Sequence, residues 1–160
     1  MRVIGIDPGY DRLGVAILEG DGNKQTLIFS TCIKTSAKLP FAARLGEVGT
    51  ELRTIIETYE PKHLGIETLF FSKNVKTAMM VAEARGVILF IMQTSGVIIH
   101  EYSPQAIKIA VTGHGASSKE QMGMMLPRLV KEIPQDALDD EYDAIAAGIA
   151  CLASERFTGK

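Results

Sequence analysis

The chain is poor in cysteine, carries no charge excess of consequence and has no long apolar run. Its 160 residues include two cysteines, Cys32 and Cys151. They lie far apart without metal-ligand spacing, so they read as packed thiols of a reducing cytoplasm rather than a disulfide or zinc framework. Lys+Arg of 17 against Asp+Glu of 19 leave a formal charge of −2. That excludes attachment to nucleic acid by overall charge alone, while leaving room for local basic patches. The longest uninterrupted apolar stretch, Val87 to Met92, is far shorter than the ~18 residues of a membrane span, so no membrane partner is expected. The opening Met1-Arg2-Val3-Ile4-Gly5-Ile6-Asp7 reads as a strand rather than an export signal. What is present is an ordinary globular balance, 46% hydrophobic and 22% charged, which separates the chain from disordered sequences. A chain of this length buries roughly 70% of its unfolded surface and needs no covalent staple. One cytoplasmic domain over residues 1–160 is expected, without repeat or linker.

Periodicity supplies the order of elements. Val3, Ile4 and Ile6 form a buried strand that stops at Asp7-Pro8-Gly9. Gly14 to Leu18 and Thr26 to Ile33 are two more strands, joined by a turn at Gly20-Asp21-Gly22-Asn23, so the first third is an antiparallel meander. From Pro40 the period lengthens: Leu45, Val48, Leu52, Ile55 and Ile56 mark an amphipathic helix ending before Pro61. His63 to Glu67 is a fourth strand, residues 74–93 a second helix, and Gly96 to Tyr102 a fifth strand. Ser103-Pro104 opens a helix, and Ser117 and Ser118 stand at capping-box distance from Glu120 and Gln121. Pro127 should end or kink that helix within about three turns. An alanine-rich helix runs from Asp140 to Leu152. The pattern predicts an α/β fold with a five-stranded mixed sheet flanked by helices.

Two of the strands end in an acid, Asp7 and Glu67, and the last helix begins with Asp140 and Asp143, three apart and hence on one face. Strand ends in α/β sheets converge on the edge where such folds carry their sites. Acids at a helix start also complement its dipole, and Asp7 before Pro-Gly suits a turn. Glu67 is harder to explain that way, because an unpaired glutamate in a central apolar strand is costly. Four carboxylates gathered in one pocket repel each other, and hard divalent cations with oxygen ligands are the natural counter-charge. Two such ions would turn the formal balance positive.

The blocks Ile4-Gly5-Ile6-Asp7-Pro8-Gly9, Ile66-Glu67 with Phe70 and Lys73-Asn74, Ala84-Arg85-Gly86, Thr112-Gly113-His114-Gly115 with Lys119, and Asp140-Glu141-Tyr142-Asp143-Ala144 together resemble the RuvC family of bacterial Holliday junction resolvases. The resemblance runs from residue 1 to about 153. It implies a ribonuclease-H-like fold and a homodimer formed through the 74–93 helix. It also implies cleavage of four-way junction DNA with two Mg²⁺ per subunit, Mn²⁺ substituting. It places the catalytic and metal-holding acids on Asp7, Glu67, Asp140 and Asp143, and lysines near the scissile phosphate on Lys108 and Lys119. Partnership with a RuvA–RuvB branch-migration complex is a further implication.

Candidate DNA contacts are Lys73, Asn74 and Arg85 around the second helix, which would fix position more than sequence, together with Phe70 or Phe71. Either ring is a core plug or, exposed, a platform for an unpaired base. Met79, Met80, Val81 and the Val87–Met92 run give the second helix more apolar residues than one stripe uses, so it is either wholly buried or part of a subunit interface. Two rival readings are a non-catalytic junction-binding module and an ATPase of the actin and sugar-kinase type. The latter needs a second domain to close over its nucleotide.

Overall fold

The structure, a computed structural model, describes residues 1–20, 25–69 and 75–158, with the side chains of 75–76 and 155–158 outside that description. Strands β1 (Arg2–Asp7), β2 (Arg12–Gly20) and β3 (Gln25–Lys34) form the predicted antiparallel meander. The turn at 21–24 lies outside the described residues. Helix α1 (Phe41–Tyr59) stops at Glu60, whose left-handed φ of 48° ends the helix just before Pro61. Strand β4 (His63–Glu67) pairs parallel to β1, and β5 (Ile98–Tyr102) parallel to β4. Between them runs α2 (Val75–Thr94). Helix α3 (Pro104–Thr112) is capped by Ser103 with Pro104 in its first turn.

Helix α4 (Lys119–Leu129) opens with a capping box between Ser118 and Gln121 and ends two residues after Pro127. Of the two candidate serines, Ser118 is the cap; Ser117 is buried and bonds the His114 carbonyl. The sheet has six strands rather than five, in the order β5-β4-β1-β2-β3-β6. The addition, β6 (Val130–Lys131), pairs only with Gln25 and Thr26, and two residues are too few to show a period. Helix α5 (Asp139–Thr158) completes the fold.

Strand alternation sends side chains to two different cores. Ile4, Ile6, Leu13, Val15, Ile17, Leu64 and Ile66 pack toward α1 and α2. Val3, Ala16 and Leu18 pack toward α3, α4 and α5. On that second face the sheet is nearly bare. A Cβ on Gly5 would lie 2.0 Å from the Ala144 carbonyl oxygen, one on Gly14 1.9 Å from that of Asp140, and one on Gly65 2.3 Å from that of Ala147. The last helix therefore rests backbone-on-backbone on three strands. Its alanines are the helix's half of that fit: Ala144, Ala146, Ala147 and Ala150 are all buried.

Helix α2 serves two masters. Ala84, Ile88, Ile91 and Met92 are buried, while Met79 and Phe90 are 59% and 62% exposed. Over Thr77–Thr94 its mean hydropathy reaches 1.2, enough by length and composition to cross a membrane, although no uninterrupted apolar run is long. Here its inner side closes the core beside α1 and β5.

The close seating of α5 makes an opposed pair of predictions. Gly5→Ala drives a methyl into the Ala144 carbonyl and should cost about 3 kcal/mol or more. Gly46→Ala on α1, where nothing lies within 4 Å, should stabilise by about 0.5–1 kcal/mol through helix propensity. Urea denaturation of both variants checks the contrast, and equal effects would remove the backbone seat as the explanation.

Candidate active site

Asp7 closes β1 and Glu67 closes β4. Because Ile6 pairs with Ile66, the two acids follow side by side, and alternation turns both toward α5. The third partner in this row is Gly14 of β2, opposite Asp7, and on Gly14 rests the backbone of Asp140. The same contact that seats the helix thus delivers its first turn to the strand ends.

Asp7, Glu67 and Asp143 line one pocket of about 220 Å³ with Lys108 of α3 and Lys119 of α4. A larger groove of about 940 Å³ between β3 and α1 is lined by Thr50, Thr54 and Thr58, and its charged residues, Lys34, Glu47 and Glu51, are solvent-exposed rather than gathered by burial. Chemistry, not size, selects the smaller one. Burial, then the charges of Asp143, Asp140 and Glu67, raise Asp7 to about 7, against a weaker opposing pull from Lys119. Burial and Asp143 push Glu67 up, and Lys108 opposes this. Asp143 is raised by burial and restrained by Lys119, whose ammonium lies 3.5 Å from Asp143 and 3.3 Å from Asp139.

Asp140 stands slightly apart. Its carboxylate is paired with Arg12 of β2, and it lines an adjoining basin with Arg12 and Asp139 that shares Lys119 and Asp143 with the pocket. Among the described residues no three acids, histidines or cysteines lie close enough, as placed, to hold one ion. The donor set nevertheless fits a hard divalent cation, being carboxylate oxygen throughout with no thiolate or imidazole. The clustering of raised carboxylates at one cleft is the electrostatic mark of a functional site.

Of the other predicted residues, Lys108 and Lys119 reach the pocket. Arg85 does not: it is buried on α2 and bonds Glu101 of β5, because alternation turns Glu101 toward the α2 side of the sheet. The arginine side chain is only 11% exposed, which leaves little of the guanidinium open to solvent. Phe70, Phe71, Lys73 and Asn74 lie outside the described residues.

Two arginines were not among the predicted site residues. Arg12 meets Asp140 across 128 positions of chain. Arg44, buried at the start of α1, binds the Tyr10 carbonyl at 3.1 Å and the Thr35 hydroxyl at 2.9 Å, pairs with Asp11, and lies over the Tyr10 ring. It braces the turn that follows Asp7. The only sequence signal for it was a basic residue inside an otherwise amphipathic stripe. Cys32 sits half-buried beside Arg12, and burial pushes its thiol up, in keeping with a packed, unreactive thiol.

Comparison with known proteins identifies the family. The family model for crossover junction endodeoxyribonuclease RuvC matches residues 3–151. A RuvC crossover junction endodeoxyribonuclease of Heliobacterium modesticaldum is 40% identical over 156 residues, covering 96% of this chain and 95% of the relative. Its counterpart in Petrotoga mobilis is 44% identical over 146 residues, covering 91% and 90%. The solved structure of Thermus thermophilus RuvC in complex with Holliday junction substrate superposes with a TM-score of 0.92 at 27% identity, covering 99% of this chain and 96% of that one. Strand order, the seat of the last helix and the pocket at the strand ends all fall inside the matched region, and on these findings the chain belongs to the RuvC family of crossover junction endodeoxyribonucleases.

Proposed function

We propose that this protein resolves four-way Holliday junctions in the bacterial cytoplasm by paired, symmetric phosphodiester hydrolysis. The observation that carries this reading is an acidic pocket, with Asp7 raised to about 7, rimmed by two lysines from different helices. Asp7, on the inner strand, would bridge two cations, with Glu67 helping to hold one and Asp140 with Asp143 the other. Mg²⁺ is the expected ion and Mn²⁺ its substitute. When bound, such a pair supplies an activated water and stabilises the leaving oxygen. Lys108 and Lys119 would hold the scissile phosphate. A junction-binding module without catalysis would gain nothing from crowding anions where phosphate must approach.

Four residues that follow Glu67 are proposed DNA contacts. Phe70 or Phe71 would stack on a base unpaired at the crossover, and Lys73 and Asn74 would meet the backbone. Arg85, held by Glu101, is left out of the set. The exposed Met79 and Phe90 on α2 support a homodimer through that helix, and a two-fold axis relates the two cuts that a junction requires. A RuvA–RuvB branch-migration complex is the expected protein partner.

Mg²⁺-dependent nicking of a synthetic four-way junction, run beside plain duplex, tests the reading directly. Asp7→Asn should lower cleavage at least about a hundredfold while leaving junction binding largely intact; near wild-type cutting would end the bridging role.

In EDTA the ionisation of Asp7 leaves its own mark on stability. Its carboxyl is held at about 7 in the folded chain against 3.8 ordinarily, so the folded state keeps a proton that the unfolded state releases. The Asp7 contribution to stability should be greatest below about pH 4 and fall away as pH rises to about 7. Asp7→Asn should flatten that fall and raise Tm by a few degrees at pH 8 but hardly at pH 4. Thermal melts across the range would show parallel curves if Asp7 were not strained.

Phe90→Glu should shift the sedimentation equilibrium toward monomer at micromolar concentration without lowering helix content. A wild-type chain that sediments only as monomer would remove the dimer.

A further inference from the structure

Asp140 has its backbone fixed and its carboxylate engaged outside the lining of the pocket. The backbone is fixed because its carbonyl rests on Gly14. The carboxylate is paired with Arg12, two residues before that glycine on the same strand. The pairing leaves Asp140 in the basin beside the pocket that Asp7, Glu67 and Asp143 share. The arginine side chain is 48% exposed and the aspartate side chain 19%, so the cation faces solvent at the rim while the acid lies beneath it. An ion pair this open is weak and readily exchanged. The guanidinium fork matches phosphate as well as carboxylate.

We propose that Arg12 is a phosphate-binding residue that rests on Asp140 in the unbound protein and, by leaving it for the DNA backbone, releases that carboxylate to complete the cation site. The exchange couples junction binding to cation loading. Each partner arriving removes one half of the Arg12–Asp140 pair, so each favours the other, and linkage makes the effect reciprocal. A subunit without DNA would hold cations less tightly, which keeps hydrolytic capacity low until a substrate is in place. Lys119 gives the same service to Asp143, but it lines the pocket itself, whereas Arg12 stands outside it. This inference rests on the four-carboxylate reading above.

The test is a double-mutant cycle on cation affinity together with a salt series on DNA affinity. Mn²⁺ binding without DNA is measured by titration calorimetry for the wild type, Arg12→Gln, Asp140→Asn and the double variant. Circular dichroism and thermal melts show that each is folded. Arg12→Gln should tighten Mn²⁺ binding about two- to fivefold, and should give no gain on the Asp140→Asn background. In EDTA the same variant should bind a synthetic junction about two- to fivefold more weakly, with its salt slope reduced by about one. An equal gain in both backgrounds would mean that Arg12 acts as a diffuse positive charge, which overturns the release of Asp140. Unchanged junction affinity and slope would overturn the phosphate contact. Absence of Mn²⁺ binding in the wild type itself would overturn the four-carboxylate reading and take this inference with it, an outcome distinct from both of the others.

Discussion

The contact between α5 and the sheet governs everything else in this molecule. A helix normally stands off a sheet by the length of its side chains. Here Gly5, Gly14 and Gly65 remove those side chains on three adjacent strands, and the carbonyls of Asp140, Ala144 and Ala147 take their place. The gain is dispersion between closely packed backbones and a helix position defined to within fractions of an ångström. Because Asp140 is itself one of the seated residues, the precision of the core is handed to the clustered acids without an intervening loop.

That arrangement also explains the electrostatic tension of the pocket. Burial alone would raise Asp7, and the seat places Asp143 and Asp140 within reach of it as well. The fold offsets the repulsion locally with Arg12 on Asp140 and with Lys119, which Asp143 shares with Asp139. Such a site is stable enough to fold yet strongly attracts additional positive charge. Crowded carboxylates that weaken the empty protein are what a cation later exploits.

Much of this was legible in the sequence, and the exceptions share a cause. Hydrophobic period and capping residues located the helices and the principal strands, because those signals are local. The acids at 7, 67, 140 and 143 were legible because each sits at an element boundary. Pairing partners far along the chain were not legible. Arg12, Arg44 and the Arg85–Glu101 bond depend on which strand lies beside which, and a basic residue looks the same whether it faces phosphate or a buried carboxylate. The division of the acids between the pocket and the adjoining basin is a matter of side-chain rotation, which no spacing encodes. The mid-strand glycines carry no local sign of their purpose, which is visible only with the helix on top of them.

The beginning of α5 is held as firmly as its middle. Glu141 is buried; it accepts a hydrogen bond from Ser30 of β3 and reaches back to the Leu138 amide. Rotation and sliding of the helix are both blocked, which sets different evolutionary latitudes for neighbouring stretches of chain. The connector ahead of Ala137 can change length with less effect on the acids than the helix itself can. One residue added between Asp143 and Gly148 would turn the acids about 100° away from the seat. Lineages descended from this chain are therefore free to vary the approach to the helix, and are held to a fixed count within it.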